Sequence, residues 1–176
     1  MSTGYRCRLA LVAATTLFGC AATQSVPGVE VTRNTHSAIE FEFSGPNNAA
    51  LTSGETRGRV TLIALLTTYD LASQLLARRL EELQHTHVPR LNVGAVAMET
   101  PRYEVLVGMF SGTVGLSFPV VMADPASLAG EGPFGKVERI PTLVVLDAAG
   151  RLVQRISGAP EPARIRAAVA EAEKSR

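Results

Sequence analysis

Residues 60–83 read VTLIALLTTYDLASQLLARRLEEL. Val60–Leu66 is apolar and partly β-branched, the pattern of a strand buried on both faces. From Asp70 onward, leucines at 71, 75, 76, 80 and 83 recur at helical spacing, with Arg78, Arg79, Glu81 and Glu82 between them. The spacing predicts an amphipathic helix over 70–83 that turns all five leucines inward. Thr67–Ser73 is then a strand-to-helix turn that presents a helix N-terminus to solvent. Open α/β folds place their chemistry at such a turn, where free amides and the helix dipole favour negative charge.

Working outward, Ala38–Phe43 (AIEFEF) alternates apolar and acidic residues and predicts a half-buried strand. Gly45-Pro46-Asn47-Asn48 is a turn cluster, and Arg57-Gly58-Arg59 leads into the central strand. On the other side, Val88–Met98 predicts a second buried strand. Thr100-Pro101 opens a helix through Tyr103, Leu106, Val107 and Phe110 to about Ser111, closed by Gly112 and Gly115. Leu116–Val121 ends in a short strand. Asp124–Lys136 holds two prolines and three glycines and predicts little regular structure. Leu143–Leu146, the turn Asp147-Ala148-Ala149-Gly150 and Arg151–Ile156 form a β-hairpin. Pro160–Glu173 is a final amphipathic helix with Ile165, Ala168, Val169 and Ala172 inward. The order β, β, α, β, α, β, β, β, α predicts an α/β fold: a mixed sheet with helices on both faces.

Of 176 residues, 46% are hydrophobic and 19% charged, which suits one domain with a short appendage. A net charge of +1 and the lack of a basic stripe give no basis for nucleic-acid binding. The two cysteines are Cys7 and Cys20, so a disulfide framework or a cysteine zinc site within 38–176 is excluded.

Residues 1–20 combine Arg6 and Arg8, the apolar run Leu9–Phe18 and Leu17-Phe18-Gly19-Cys20. This is a signal peptide by pattern, too short to span a bilayer comfortably. Its end resembles a bacterial lipobox, which implies a lipid on Cys20 and a membrane anchor. Ala21 rather than Asp after the cysteine points, by the same resemblance, to the outer membrane. The alternative is ordinary cleavage near Ala21-Ala22, which releases a soluble periplasmic or secreted protein. Residues 21–37, rich in Thr, Ser, Pro and Gly, read as a tether to a domain at 38–176.

The central stretch resembles the active-site segment of thioredoxin-fold proteins of the TlpA/ResA type, which reads roughly W-A-T-W-C-x-x-C before a long helix. Thr68 and Tyr69 match the Thr and second aromatic; Asp70 and Ser73 stand where the two cysteines belong. Leu116-Ser117-Phe118-Pro119-Val120 resembles the G-L-x-F-P-V of TlpA-like and peroxiredoxin-like chains. Ile140-Pro141 before the hairpin is similar to the pair that faces the active-site turn in thioredoxin folds. The resemblance covers about Glu40–Glu173. It implies a thioredoxin-like fold with an N-terminal β extension, a cis Ile140–Pro141 bond, and a groove formed by Thr68, Tyr69, Asp70, Leu71, Ser73, Ile140 and Pro141 that accepts an extended peptide.

The family activity is thiol–disulfide exchange, which needs a thiolate to attack and a second thiol to resolve the mixed disulfide. Asp70 and Ser73 do neither, and a peroxiredoxin-type T-x-x-C maps to Thr67-x-x-Asp70 with the same loss. Asp70 reads as a helix cap. His85 and His87 form an H-x-H pair, read as the cationic end of a helix rather than a metal site. No phosphate loop, metal-ligand cluster or dinucleotide fingerprint is present, so no cofactor is expected. Two functions are expected: a non-catalytic module that binds an envelope protein or extended peptide, or a TlpA-like oxidoreductase that works in envelope redox or cytochrome maturation with a cysteine-bearing partner.

Overall fold

Strand β4 (Val60–Leu66) is buried at all seven positions and lies inside the main sheet of the computed structural model, which describes residues 1, 31–32, 37–87 and 90–175. Cys7, Cys20, the lipobox and most of the tether lie outside the described residues. The other strands are β1 (Val31–Thr32), β2 (Glu42–Ser44), β3 (Ala50–Thr52), β5 (Leu91–Ala97), β6 (Val120–Met122), β7 (Thr142–Leu146) and β8 (Leu152–Ser157). The helices are α1 (Ser53–Thr56), α2 (Leu71–His87), α3 (Glu104–Val114), α4 (Pro125–Ala129) and α5 (Pro162–Lys174). No helix among the described residues is long and apolar enough to cross a membrane.

The main sheet runs β1-β8-β7-β4-β5-β6, with β4, β5 and β6 parallel and β7 antiparallel to β4. Two residues of the stretch read as a tether, Val31–Thr32, supply its edge by pairing with Ile156 and Arg155. Successive side chains of β4 point to opposite faces. Leu62, Ala64 and Leu66 pack with Leu76 and Leu80 of α2, Val107 and Phe110 of α3, and Ile165 and Ala168 of α5. Ile63 and Leu65 meet Phe41, Phe43, Leu51 and Phe134 on the other face. There the cover is the β2–β3 hairpin together with residues 123–137, which contain α4. Phe134 sits 5.4 Å from Phe41 and 6.0 Å from Phe43, centroid to centroid, joining the two parts of this cover.

Three expectations shift. The strand expected at Ala38–Phe43 pairs later. Ala38 makes one isolated bridge to Arg151, and β2 then pairs with β3 in a separate hairpin. The reason is the turn at Pro46–Asn48, where Asn47 and Asn48 adopt positive φ and fold the chain back on itself. Next, α2 does not turn all five leucines inward. Its buried face is Ser73, Leu76, Ala77, Leu80 and Leu83, while Leu71 is 77% and Leu75 42% exposed. The small residues Ser73 and Ala77 let the helix backbone approach the sheet, so they define the inward stripe and rotate Leu71 and Leu75 off it. Finally, Thr100 precedes only a single 3-10 turn at Pro101–Tyr103 and makes no side-chain capping bond to it, and α3 follows from Glu104 to Val114.

The hairpin β7–β8 matches its reading. Asp147, 2% exposed, accepts from the amides of Ala149 and Arg151, each at 2.9 Å, and from Arg151 Nε at 2.7 Å. Gly150 takes φ 79°, which the turn requires.

Candidate functional site

The site begins where β4 ends. Residues 67–70 lead from Leu66 into α2, and Asp70 sits just before the first helical residue. Its Oδ2 accepts from the Ser73 amide and from the Ser73 hydroxyl, both at 2.8 Å. This is an N-cap: the carboxylate satisfies an amide that lacks an intrahelical partner and offsets the positive end of the dipole. The Ser73 oxygen in turn accepts from the Thr67 amide at 3.3 Å. The Gln74 side-chain amide donates to the Thr68 carbonyl at 3.2 Å, closing the turn from its other side.

Ser73 is fully buried. It therefore does not line the groove expected from the sequence, because its hydroxyl is turned into the turn to bridge Thr67 and Asp70. Tyr69 and Leu71 behave oppositely, each 77% exposed. Asp70 and Ser73 are thus joined to each other and to the backbone by hydrogen bonds.

Sequence reasoning missed Glu99. It stands two residues past the end of β5, is 4% exposed, and accepts from the Thr68 amide, while its Oε2 has no partner among the described residues. The signal was available as an acid placed just past a buried apolar strand, at the edge of the sheet that carries the turn. Glu99 ties the end of β5 to the turn after β4.

The second wall comes from β7. Leu65 pairs with Thr142 in the antiparallel β4–β7 ladder, so the register carried outward brings Ile140–Pro141 alongside Leu66–Thr67. The Ile140–Pro141 bond is cis, as the resemblance implied. Pro141 is buried and its carbonyl accepts from the Gly158 amide at 2.7 Å. Ile140 is 40% exposed, and its amide and carbonyl have no protein partner among the described residues. Thr68, Tyr69, Asp70 and Leu71 thus lie on one turn, with Ile140 and Pro141 beside it.

His85 and His87 are not part of this site. They stand near the far end of α2, about 20 Å along the helix from Leu71 at 1.5 Å per residue. His85 Nε2 is 2.8 Å from Glu81 Oε1, and the His87 ring contacts the Leu83 carbonyl at 3.0 Å. The first is a side-chain pair one turn apart on the helix, and the second meets one of the last carbonyls of α2. Among the described residues, no group of three His, Cys, Asp or Glu side chains gathers in metal-binding geometry.

The order of strands, the cis Ile140–Pro141 pair and the turn before α2 define a thioredoxin-like fold with a first helical turn that contains no sulfur. Solved structures of thiol–disulfide proteins share that fold. A DsbF homologue from Corynebacterium diphtheriae superposes with a TM-score of 0.69 at 12% identity, covering 83% of this chain and 96% of its own. A secreted thiol-disulfide isomerase from Corynebacterium glutamicum gives 0.67 at 16% identity, covering 85% and 95%. A thioredoxin family thiol:disulfide interchange protein from Chlorobium tepidum gives 0.63 at 22% identity, covering 77% and 94%. No protein-family model and no curated protein matches the sequence.

Proposed function

We propose that this domain is a non-catalytic binding module that holds an extended polypeptide between the turn at Thr68–Leu71 and Ile140–Pro141. The observation that carries this reading is the exposed apolar pair of walls, Tyr69 and Leu71 on one side and Ile140 on the other, around a backbone segment with unpaired polar groups. Apolar side chains contribute burial, and a free amide and carbonyl pair with an extended chain as a strand edge does. Between the walls, the Asp70 Oδ2 and Ser73 hydroxyl are already committed to each other. Recognition without electron transfer follows from that arrangement. The cell envelope is the proposed setting, with the lipid on Cys20 as anchor or, in the alternative, a released soluble protein.

The test is binding of an unfolded, cysteine-free polypeptide to the full chain, followed by fluorescence anisotropy. Saturable binding that Ile140→Arg abolishes supports the module; binding unchanged by Ile140→Arg rejects the groove.

A second reading has one observation in its favour: the structures that share the fold are thiol–disulfide proteins. Here the chain contributes to thiol exchange together with a cysteine-bearing partner. Insulin reduction by dithiothreitol should proceed no faster with the full chain than without it. A clear rate above blank replaces the first reading with the second.

A further inference from the structure

On the sheet face opposite α2, a cavity of about 250 Å³ opens beside the segment that leads into Pro141. Arg155 and Lys136 supply its positive charge, Leu65 and Val137 its apolar wall, and Thr142 and Ser157 its hydroxyls. Thr142 is the residue next to Pro141, so the cavity begins one residue from the groove. Arg155 lies on β8, and its Nε is buried without a hydrogen-bond partner among the described residues. No carboxylate among those residues forms an ion pair with it. Partial burial pushes the guanidinium pKa below its ordinary value, yet an arginine stays charged at every working pH. Gly135 passes beside it, where an added Cβ would stand 3.5 Å from Nη2, an ordinary contact distance.

Arg155 is half-buried, and a cation that is partly desolvated without a counter-charge costs some stability. The unpartnered Nε and the excess positive charge of the lining suit an anion. Its class follows from the lining. One arginine fork presents two parallel donors, which match a carboxylate. Glu138 stands at the rim, 4.0 Å from Lys136, and leaves the lining one positive charge in excess, which disfavours a dianion such as phosphate. Leu65 and Val137 suit a short aliphatic stem behind the charged head.

We propose that this cavity binds the carboxylate of a polypeptide seated at Ile140–Pro141, an inference that rests on the groove reading. The carboxylate is an acidic side chain or a free C-terminus. The module therefore selects acidic or C-terminal segments instead of any unfolded chain.

The experiment titrates the full chain with three cysteine-free decapeptides of one sequence: a central Glu with an amidated end, a central Gln with an amidated end, and a central Gln with a free end. The wild type should bind at least one acid-bearing peptide about tenfold or more tightly than the neutral one, the scale of a charge-assisted hydrogen bond. Which of the two gains identifies side chain or terminus. Arg155→Met should erase the difference and should leave the urea midpoint unchanged or higher, since it removes a half-buried cation whose Nε has no partner among the described residues. A lower midpoint would mean that the guanidinium is already satisfied and would overturn the proposal.

The free acid glutarate separates the two levels of the argument. A saturable shift of the Arg155 Nε–H NMR signal on adding glutarate, with no peptide binding at all, retains the cavity as a carboxylate site and discards the groove. Equal binding of all three peptides, with that signal unmoved by glutarate, retains the groove and discards the cavity.

Discussion

Asp70 and Ser73 occupy the spacing at which a dithiol would sit, and they use it for structure. The carboxylate takes two hydrogens from one residue, and the Ser73 oxygen accepts from the Thr67 amide, so the three residues form a chain from strand to helix. Losing an acidic N-cap costs about 1 kcal/mol. Ser73→Ala should cost roughly 1–3 kcal/mol, because it leaves the Thr67 amide buried without an acceptor. Urea unfolding of Asp70→Ala, Ser73→Ala and the double variant gives the coupling directly. The double variant should be less destabilised than the sum of the singles, by about 0.5 kcal/mol or more. Strict additivity would mean that the two side chains act independently, in conflict with the geometry. Glu99 plays a comparable part through the Thr68 amide, and Glu99→Ala should destabilise by roughly 1–3 kcal/mol in the same assay.

At the scale of elements, α2 separates what periodicity reveals from what it hides. The leucine spacing located the helix correctly but set its inward face wrongly, since a leucine count cannot see that Ser73 and Ala77 mark the close approach to the sheet. The consequence is measurable. Leu76→Ala should cost roughly 2–5 kcal/mol, as for other fully buried leucines, while Leu71→Ala should stay within about 0.5 kcal/mol. Equal losses at both positions would restore the five-leucine face. The β2–β3 hairpin was half legible. The alternation that buries Phe41 and Phe43 is visible in the sequence, but the partner strand is not, because pairing is decided by the turn at Pro46–Asn48. That hairpin fits tightly over β6. A Cβ on Gly45 would stand 2.7 Å from the Val121 Cα, a contact with backbone that no rotamer change relieves. Gly45→Ala should lower the urea midpoint by an amount that corresponds to about 1–3 kcal/mol. A neutral substitution would mean that the hairpin rides loosely on the edge strand.

Across the whole molecule, the fold was legible where several spaced motifs agreed: the buried strand, the turn into the long helix, Ile140-Pro141 and the β7–β8 turn. The site was less so. Glu99 and Arg155 carry no motif, and they enter only because β5 ends beside the turn and β8 lies against residues 135–137. Scaffold and chemistry are therefore separable, and the separation can be tested by adding sulfur. Cysteines at 70 and 73 would stand three residues apart at the N-terminus of a 17-residue helix, where the free amides and dipole favour a thiolate. Asp70→Cys/Ser73→Cys should oxidise to an intramolecular disulfide and catalyse insulin reduction by dithiothreitol: the thiolate attacks the insulin disulfide, the second thiol resolves the mixed disulfide, and dithiothreitol regenerates the pair. Asp70→Cys alone lacks the neighbouring thiol, so its mixed disulfide waits for dithiothreitol to resolve it and turnover should fall well below that of the double variant. The double variant gives up the cap and the Thr67 acceptor, so its far-UV circular dichroism must first match the wild type. A folded double variant that shows no turnover would mean that the turn itself is unsuited to exchange, and that this scaffold departs from redox geometry by more than the two missing sulfurs.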